Sequence, residues 1–173
     1  MRRLTLAFLG LLLAGCTSSP LDTRVPQRFD LQGEWTLVAE LSDSVAAQPR
    51  NPESLRRGAL PRRRPRGGLA FVTHDFPSIN ARRMRIEQNR DSMGIEYDRG
   101  LYRDVSWGER ERGLWRVVAG WNEEGQLVIR SRAADARAVE TLSLEAEGER
   151  LRMHIKIDTE DENLDLTRVY ERI

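Results

Sequence analysis

Two histidines, one cysteine and a cluster of arginines are the residues of this 173-residue chain whose types could do chemistry. Leu151, Met153, Ile155 and Ile157 alternate with Arg152, His154, Lys156 and Asp158. That register turns the His154 ring toward solvent rather than toward a substrate. His74 stands beside Asp75, a pairing suited to a pH-sensitive contact or a weak base. No Gly-x-Ser-x-Gly elbow accompanies either histidine, so nucleophilic catalysis has no starting point. Asp158, Glu160, Asp161 and Glu162 offer hard oxygen atoms of the kind calcium takes. They lack the glycine-punctuated spacing of a calcium loop and read as a solvated acidic turn. The sequence contains no phosphate-cradling glycine motif and no zinc spacing. The expectation is a protein that is not an enzyme, with no catalytic residue, metal or cofactor.

Cys16 closes a different pattern. Arg2 and Arg3 precede a mostly apolar run over residues 4–13, and small residues then lead into the cysteine. This is the order of a secretory signal peptide, and the run falls short of the roughly 20 residues that span a bilayer. Leu13-Ala14-Gly15-Cys16 resembles the lipobox of bacterial lipoproteins. The resemblance implies diacylglyceryl transfer to the Cys16 sulfur, cleavage before Cys16 and acylation of the new amino group. Residues 1–15 would then be the signal and 16–28 a lipidated tether. Two or more acyl chains anchor a protein stably, at about 0.8 kcal/mol per buried methylene. Thr17 stands where an Asp would favour inner-membrane retention, so the same resemblance points to the outer membrane, facing the periplasm. Lipid on Cys16 leaves no thiol for a disulfide or a thiolate metal site.

Charge is unevenly spread. The chain carries 28 basic and 27 acidic residues, yet 49–66 holds Arg50, Arg56, Arg57, Arg62, Arg63, Arg64 and Arg66 against a single acid, Glu53. Outside that stretch and the leader, acids outnumber bases. Guanidinium forks match phosphate oxygens, so Arg56, Arg57, Arg62, Arg63, Arg64 and Arg66 are candidates for binding anionic lipid or lipopolysaccharide phosphates. The bland alternative is a solvated insert with no specific partner. An envelope location argues against nucleic acid.

The elements that would position these residues are almost all strands. Trp35, Leu37, Ala39 and Leu41 alternate with polar neighbours, and 42–68 then loses all periodicity and gathers proline, glycine and arginine as a long loop. From Arg82 the alternation runs nearly unbroken: Met84–Gln88, Met93–Tyr97, Leu101–Trp107, then a charged turn over 108–112, and Trp115, Val117, Ala119 and Trp121 on one face. Further strands follow near 127–132, 139–144, 151–157 and 164–171. Eight or nine short strands with short links predict an all-β, antiparallel up-and-down barrel over 29–173.

Leu31-Gln32-Gly33-Glu34-Trp35 carries a Gly-x-Trp pattern, and here the chain resembles the lipocalin superfamily and lipocalin-like bacterial lipoproteins. The stretch 83–121 and the ending Arg168-Val169-Tyr170-Glu171-Arg172 are similar to a group of uncharacterised proteobacterial lipoproteins. The superfamily resemblance implies a long lid loop after the first strand and a last-strand arginine packed on the first-strand tryptophan, either Arg168 or Arg172. Trp35, Tyr97, Trp107, Trp115 and Trp121, with Met93, are the candidate lining of a ligand cavity, or equally a filled core, because a barrel of this size holds side chains or one small ligand. The expected function is a membrane-anchored lipoprotein that binds an apolar or amphipathic ligand or supports envelope integrity. The alternative is a filled barrel that docks an envelope protein as an assembly factor or inhibitor.

Overall fold

Period-two alternation becomes ten antiparallel strands in a computed structural model that describes residues 19–45, 74–160 and 163–173. These are β1 (Gly33–Leu37), β2 (Arg83–Gln88), β3 (Ser92–Tyr97), β4 (Leu101–Ser106), β5 (Gly108–Arg112), β6 (Trp115–Trp121), β7 (Leu127–Arg132), β8 (Ala136–Glu145), β9 (Arg150–Thr159) and β10 (Asn163–Arg172). They form one sheet in the order β4-β3-β2-β1-β10-β9-β8-β7-β6-β5. The sheet curls into a nearly closed up-and-down barrel, as the alternation predicts. Its open seam lies between β4 and β5, which follow each other in the chain through Trp107 and form the two edges.

Ten strands exceed the expected eight or nine. The additional one is β5, Gly-Glu-Arg-Glu-Arg, which reads as a charged turn because it has no apolar alternation. It pairs with β6 alone, from Gly108 opposite Ala119 to Arg112 opposite Trp115. An edge strand open to solvent on one side needs little apolar surface, and charge there discourages pairing with other chains. The first strand is also shorter than its pattern suggests. It ends at Leu37, and Ala39–Leu41 turn as a 3-10 helix that leaves Leu41 exposed.

Closure between the first and last strands rests on Trp35 and Arg172, which are register partners. The Trp35 ring is fully buried, and its indole N–H donates to the Leu31 carbonyl at 2.9 Å. The Arg172 guanidinium lies 4.4 Å from the Trp35 ring centroid. This decides between the two arginines that the sequence offered for that place. Arg172 also donates to the carbonyls of Asp30 (3.0 Å), Gly148 (2.9 Å) and Gln32, so one side chain ties the start of β1 to the turn before β9.

The chain ahead of β1 is tied down as well. Asp22 and Trp121 exchange backbone hydrogen bonds of 2.8 and 2.7 Å. Gly120 makes this crossing possible, because a Cβ there would stand 2.5 Å from the Asp22 carbonyl oxygen. Arg130 on β7 donates to the Ser19 carbonyl at 3.0 Å. Farther on, Phe29 closes the barrel end edge-on to Trp121 at 5.8 Å, and Trp121 meets Trp107 at 4.8 Å.

Arg172→Ala should lower the free energy of unfolding by about 2–4 kcal/mol in urea titrations, the sum of a cation–π contact and several charge-assisted hydrogen bonds. Arg172→Lys should restore less than half of that loss, because an ammonium cannot reach three carbonyls from a planar fork. Full restoration by lysine would assign the closure to charge alone.

Candidate functional site

Inward-facing positions on the strands are mostly apolar; the buried exceptions are Ser131, Arg168 and, in one belt, a charged pair that crosses the lumen. Arg103 on β4 shares its face with Val105 and stands opposite Ile95. Glu140 on β8 stands between Ile129 and Ile155. Their side chains are each 1% exposed. Arg103 Nη1 donates to Glu140 Oε1 at 2.8 Å, and Nη2 lies 2.6 Å from Oε2, a close ionic contact made off the donor axis. Taking two charges out of water costs several kcal/mol each, which good geometry and further hydrogen bonds must offset.

A segment between β1 and β2 supplies them. Residues 75–81 enter the lumen, and Phe76, Ser78 and Ile79 are fully buried. The Ser78 hydroxyl donates to Glu140 Oε1 at 2.9 Å. The Phe76 ring lies 5.3 Å from the Arg103 guanidinium carbon and packs edge-on against Trp115 at 5.2 Å. Three more side chains hold this plug. Trp115 Nε1 donates to Asp75 Oδ2 at 2.8 Å. The Tyr170 hydroxyl is 3.3 and 3.2 Å from the carbonyls of Ser78 and Ala81. Arg168 donates to the carbonyls of Asp43 (3.0 Å) and Ala81 (3.4 Å). The last-strand Arg168 and Tyr170 are thus spent on backbone, while Arg103 and Glu140 face each other.

Burial sets the ionisation of this belt. It pushes the Tyr97 phenol well above its ordinary value, with the nearby Arg103 charge opposing and Glu140 adding to the rise. Burial works against the Arg103 charge, but Glu140 and then Tyr97 outweigh it, so Arg103 is more basic than usual. At Arg112, burial and then repulsion from Arg103 lower the pKa. Tyr170 is pushed up to about 12 by burial, against the pull of Arg168. All of these groups keep the charge they carry at neutral pH.

Trp35, Tyr97, Trp107, Trp115 and Trp121, the ring residues singled out by sequence, are all buried. The structure brings Trp115 to the plug and Trp107 and Trp121 to the opposite end, with Trp35 at the β1–β10 junction. The indole N–H groups of Trp107 and Trp121, the Ser131 hydroxyl and the Tyr97 hydroxyl find no hydrogen-bond partner among the described residues. Tyr97 faces the Arg103 guanidinium without the geometry of a hydrogen bond. His154 sits outside the barrel on β9, its Nε2 2.6 Å from Asp165 Oδ1. His74 is exposed, 3.9 Å from Asp75. No group of three His, Cys, Asp or Glu residues that could hold a metal ion occurs among the described residues. Cys16 and Arg56, Arg57, Arg62, Arg63, Arg64 and Arg66 lie outside the described residues.

The alternation over Leu101–Trp107 sets Arg103 in the same register as Val105 and Trp107. A lone charge in an inward register is the signal that identifies it. Glu140 carries the same signal between Ala138 and Leu142. Ser78 and Phe76 had none, since their segment lacks periodicity and their partners lie far away in the chain.

No protein-family description matches the chain, and no curated protein matches it. Among solved structures, it is similar to a REP1-NXSQ fatty acid transporter at 13% identity and a TM-score of 0.50, over 83% of this chain and 96% of that one. A Schistosoma mansoni fatty acid binding protein in complex with arachidonic acid gives 16% identity and a TM-score of 0.47, over 82% and 95% of the two chains. A zebrafish ileal bile acid-binding protein complexed with cholic acid gives 13% and 0.44, over 82% and 98%. The likeness is one of fold: a nearly closed, antiparallel up-and-down barrel.

Arg103→Met should cost about 3–5 kcal/mol of stability by leaving Glu140 buried and unpaired. The double variant Arg103→Met/Glu140→Leu should recover most of that loss, a coupling read directly from a urea double-mutant cycle. Strict additivity would mean that the two charges do not meet in solution. A second test uses alkaline pH. The folded-state pKa of Tyr170 stands above its unfolded value of 10.0, so its contribution is complete below pH 10 and is lost as pH rises toward 12. The stability advantage of the wild type over Tyr170→Phe should therefore shrink by up to about 2.5 kcal/mol across that window. A constant difference would place the Tyr170 ring in water.

Proposed function

We propose that this chain is a lipid-anchored lipoprotein of the bacterial envelope, not an enzyme, whose barrel takes up an apolar or amphipathic ligand. The observation that carries the reading is the interior. A lumen walled by Ile86, Ile95, Ile129, Leu142, Met153 and Ile155 holds the buried guanidiniums of Arg103 and Arg168 and several inward polar atoms without protein partners among the described residues. An apolar wall with a few convergent polar groups is the usual composition of a small-molecule site. The fold likeness to a fatty acid transporter supports the same reading.

Residues 75–81 occupy one end of that lumen, so entry requires them to move. Their hydrogen bonds to Glu140, Trp115, Tyr170 and Arg168 are contacts that water or a ligand headgroup can replace, and Phe76 and Ile79 must leave the apolar core for them to move. Acylation of Cys16 holds the barrel at the membrane, the outer membrane on its periplasmic side, and the arginines of 56–66 engage anionic lipid or lipopolysaccharide phosphates. A second reading, a module that docks an envelope protein, draws on the fullness of the lumen around Phe76 and Ile79. It also draws on Tyr102 and Leu114, which are 67% and 75% exposed on β4 and just before β6.

Native mass spectrometry of the full chain, extracted in mild detergent from a bacterial envelope, checks both parts of the proposal. The expected spectrum carries the acyl mass on Cys16 and a co-purifying apolar molecule, and Trp115→Ala/Trp121→Ala should reduce occupancy at least about tenfold, the loss of two aromatic walls. A bare polypeptide mass with no fluorescence response of the four buried tryptophans to added lipid would sink the carrier reading and favour the docking module.

A further inference from the structure

Cross-strand register places like charges side by side on one outer face of the barrel. Arg116, Arg132 and Arg137 stand directly opposite one another on β6, β7 and β8. The neighbouring row runs Val118, Arg130, Val139 and Lys156 across β6 to β9. Like charges directly opposite in a sheet are destabilising. Arg116 is paired with Glu109 on β5, whereas Arg132, Arg137 and Lys156 have no ion pair among the described residues. Asp158 stands opposite Arg137 and Asp165 opposite Lys156 without reaching ion-pair distance, and Asp165 is engaged by His154. Between these cations Val139 is exposed. The rest of the barrel carries an excess of acids, so this face is an exception that folding alone does not account for.

The N-terminal segment reaches the same face. Leu21 and Asp22 cross the outside of β6 at Gly120, and Arg130 grips the Ser19 carbonyl at 3.0 Å. Cys16 is three residues upstream of Ser19, a span of at most about 10 Å. A lipid on Cys16 would therefore lie within that reach of Ser19, whose carbonyl Arg130 holds. We propose that the outer face of β6–β9 rests on the anionic phospholipid surface in which Cys16 is anchored. Arg132, Arg137 and Lys156 meet lipid phosphates there, and the seam between β4 and β5 is turned by this contact to a fixed orientation. The inference rests on lipidation of Cys16, and it goes beyond that in assigning which side of the barrel faces the membrane.

The test uses the full lipidated chain in vesicles of phosphatidylglycerol and phosphatidylcholine. With Cys16 acylated, Val139→Cys and Tyr102→Cys each provide a single free thiol for a nitroxide label, one on the proposed face and one on β4. The label at 139 should be at least about fivefold less accessible than that at 102 to a water-soluble nickel relaxant, the shift that a single basic residue near an anionic surface contributes. Salt at about 0.5 M or the substitutions Arg132→Gln/Arg137→Gln/Lys156→Gln should abolish the difference while the protein stays on the vesicles. Equal accessibility at 139 and 102 in vesicle-bound, acylated protein would overturn the orientation and leave the anchor standing. A polypeptide mass without acyl chains, and no vesicle association, would instead overturn the anchor and the orientation with it.

Discussion

A buried ion pair across the lumen is the constraint on which the interior of this barrel depends. Arg103 and Glu140 come from β4 and β8, far apart in sheet order, and neither can be tolerated inside an apolar wall without the other. Once they meet, two further features follow. Glu140 has a second lone pair to satisfy, and Ser78 satisfies it by entering the lumen. Arg103 presents the face of its guanidinium, and Phe76 packs against it. The plug over 75–81 is therefore a consequence of charge placed at two inward positions, more than of any tendency of its own sequence to be buried. Arg168 and Tyr170 complete the arrangement by donating to the plug carbonyls of Ser78 and Ala81.

The barrel around this bridge closes by a different device at each junction. Between β1 and β10, closure is a ladder reinforced by Arg172 over Trp35. Between β4 and β5 there is no ladder, and the chain simply turns through Trp107, whose ring packs against Trp121 beneath Phe29. The seam is thus held by aromatic contacts at one end and by the Arg103 bridge farther in. The unzipped seam is closed by side chains alone, while the nine ladders of the other junctions run on without a break.

Much of this was legible in the sequence, for reasons that particular residues make clear. Trp35, Tyr97, Trp107, Trp115 and Trp121 fall at period-two positions of their strands, and that is enough to turn them to one face. The Gly-x-Trp pattern and the arginines of the last strand announced a closure between the chain ends, though only packing could choose Arg172 over Arg168. β5 was illegible because an edge strand buries almost nothing. Arg103 and Glu140 were hidden in plain register: alternation marks them as inward, while their charge argues for the surface, and only the pairing of two distant strands resolves the conflict. The plug had no local signal at all, since Ser78 finds its acceptor 62 residues away.

Hydrogen exchange of the full chain with and without a saturating long-chain fatty acid tests the central claim most directly, that the lumen opens at the plug and closes on an amphipathic ligand at the polar bridge. The account predicts that backbone amides of 75–81 lose protection as the ligand displaces them, while those of β4 and β8 beside Arg103 and Glu140 gain it. Unchanged exchange at all three segments, with the fatty acid present well above micromolar levels, would contradict it and leave the barrel a closed, self-filled core.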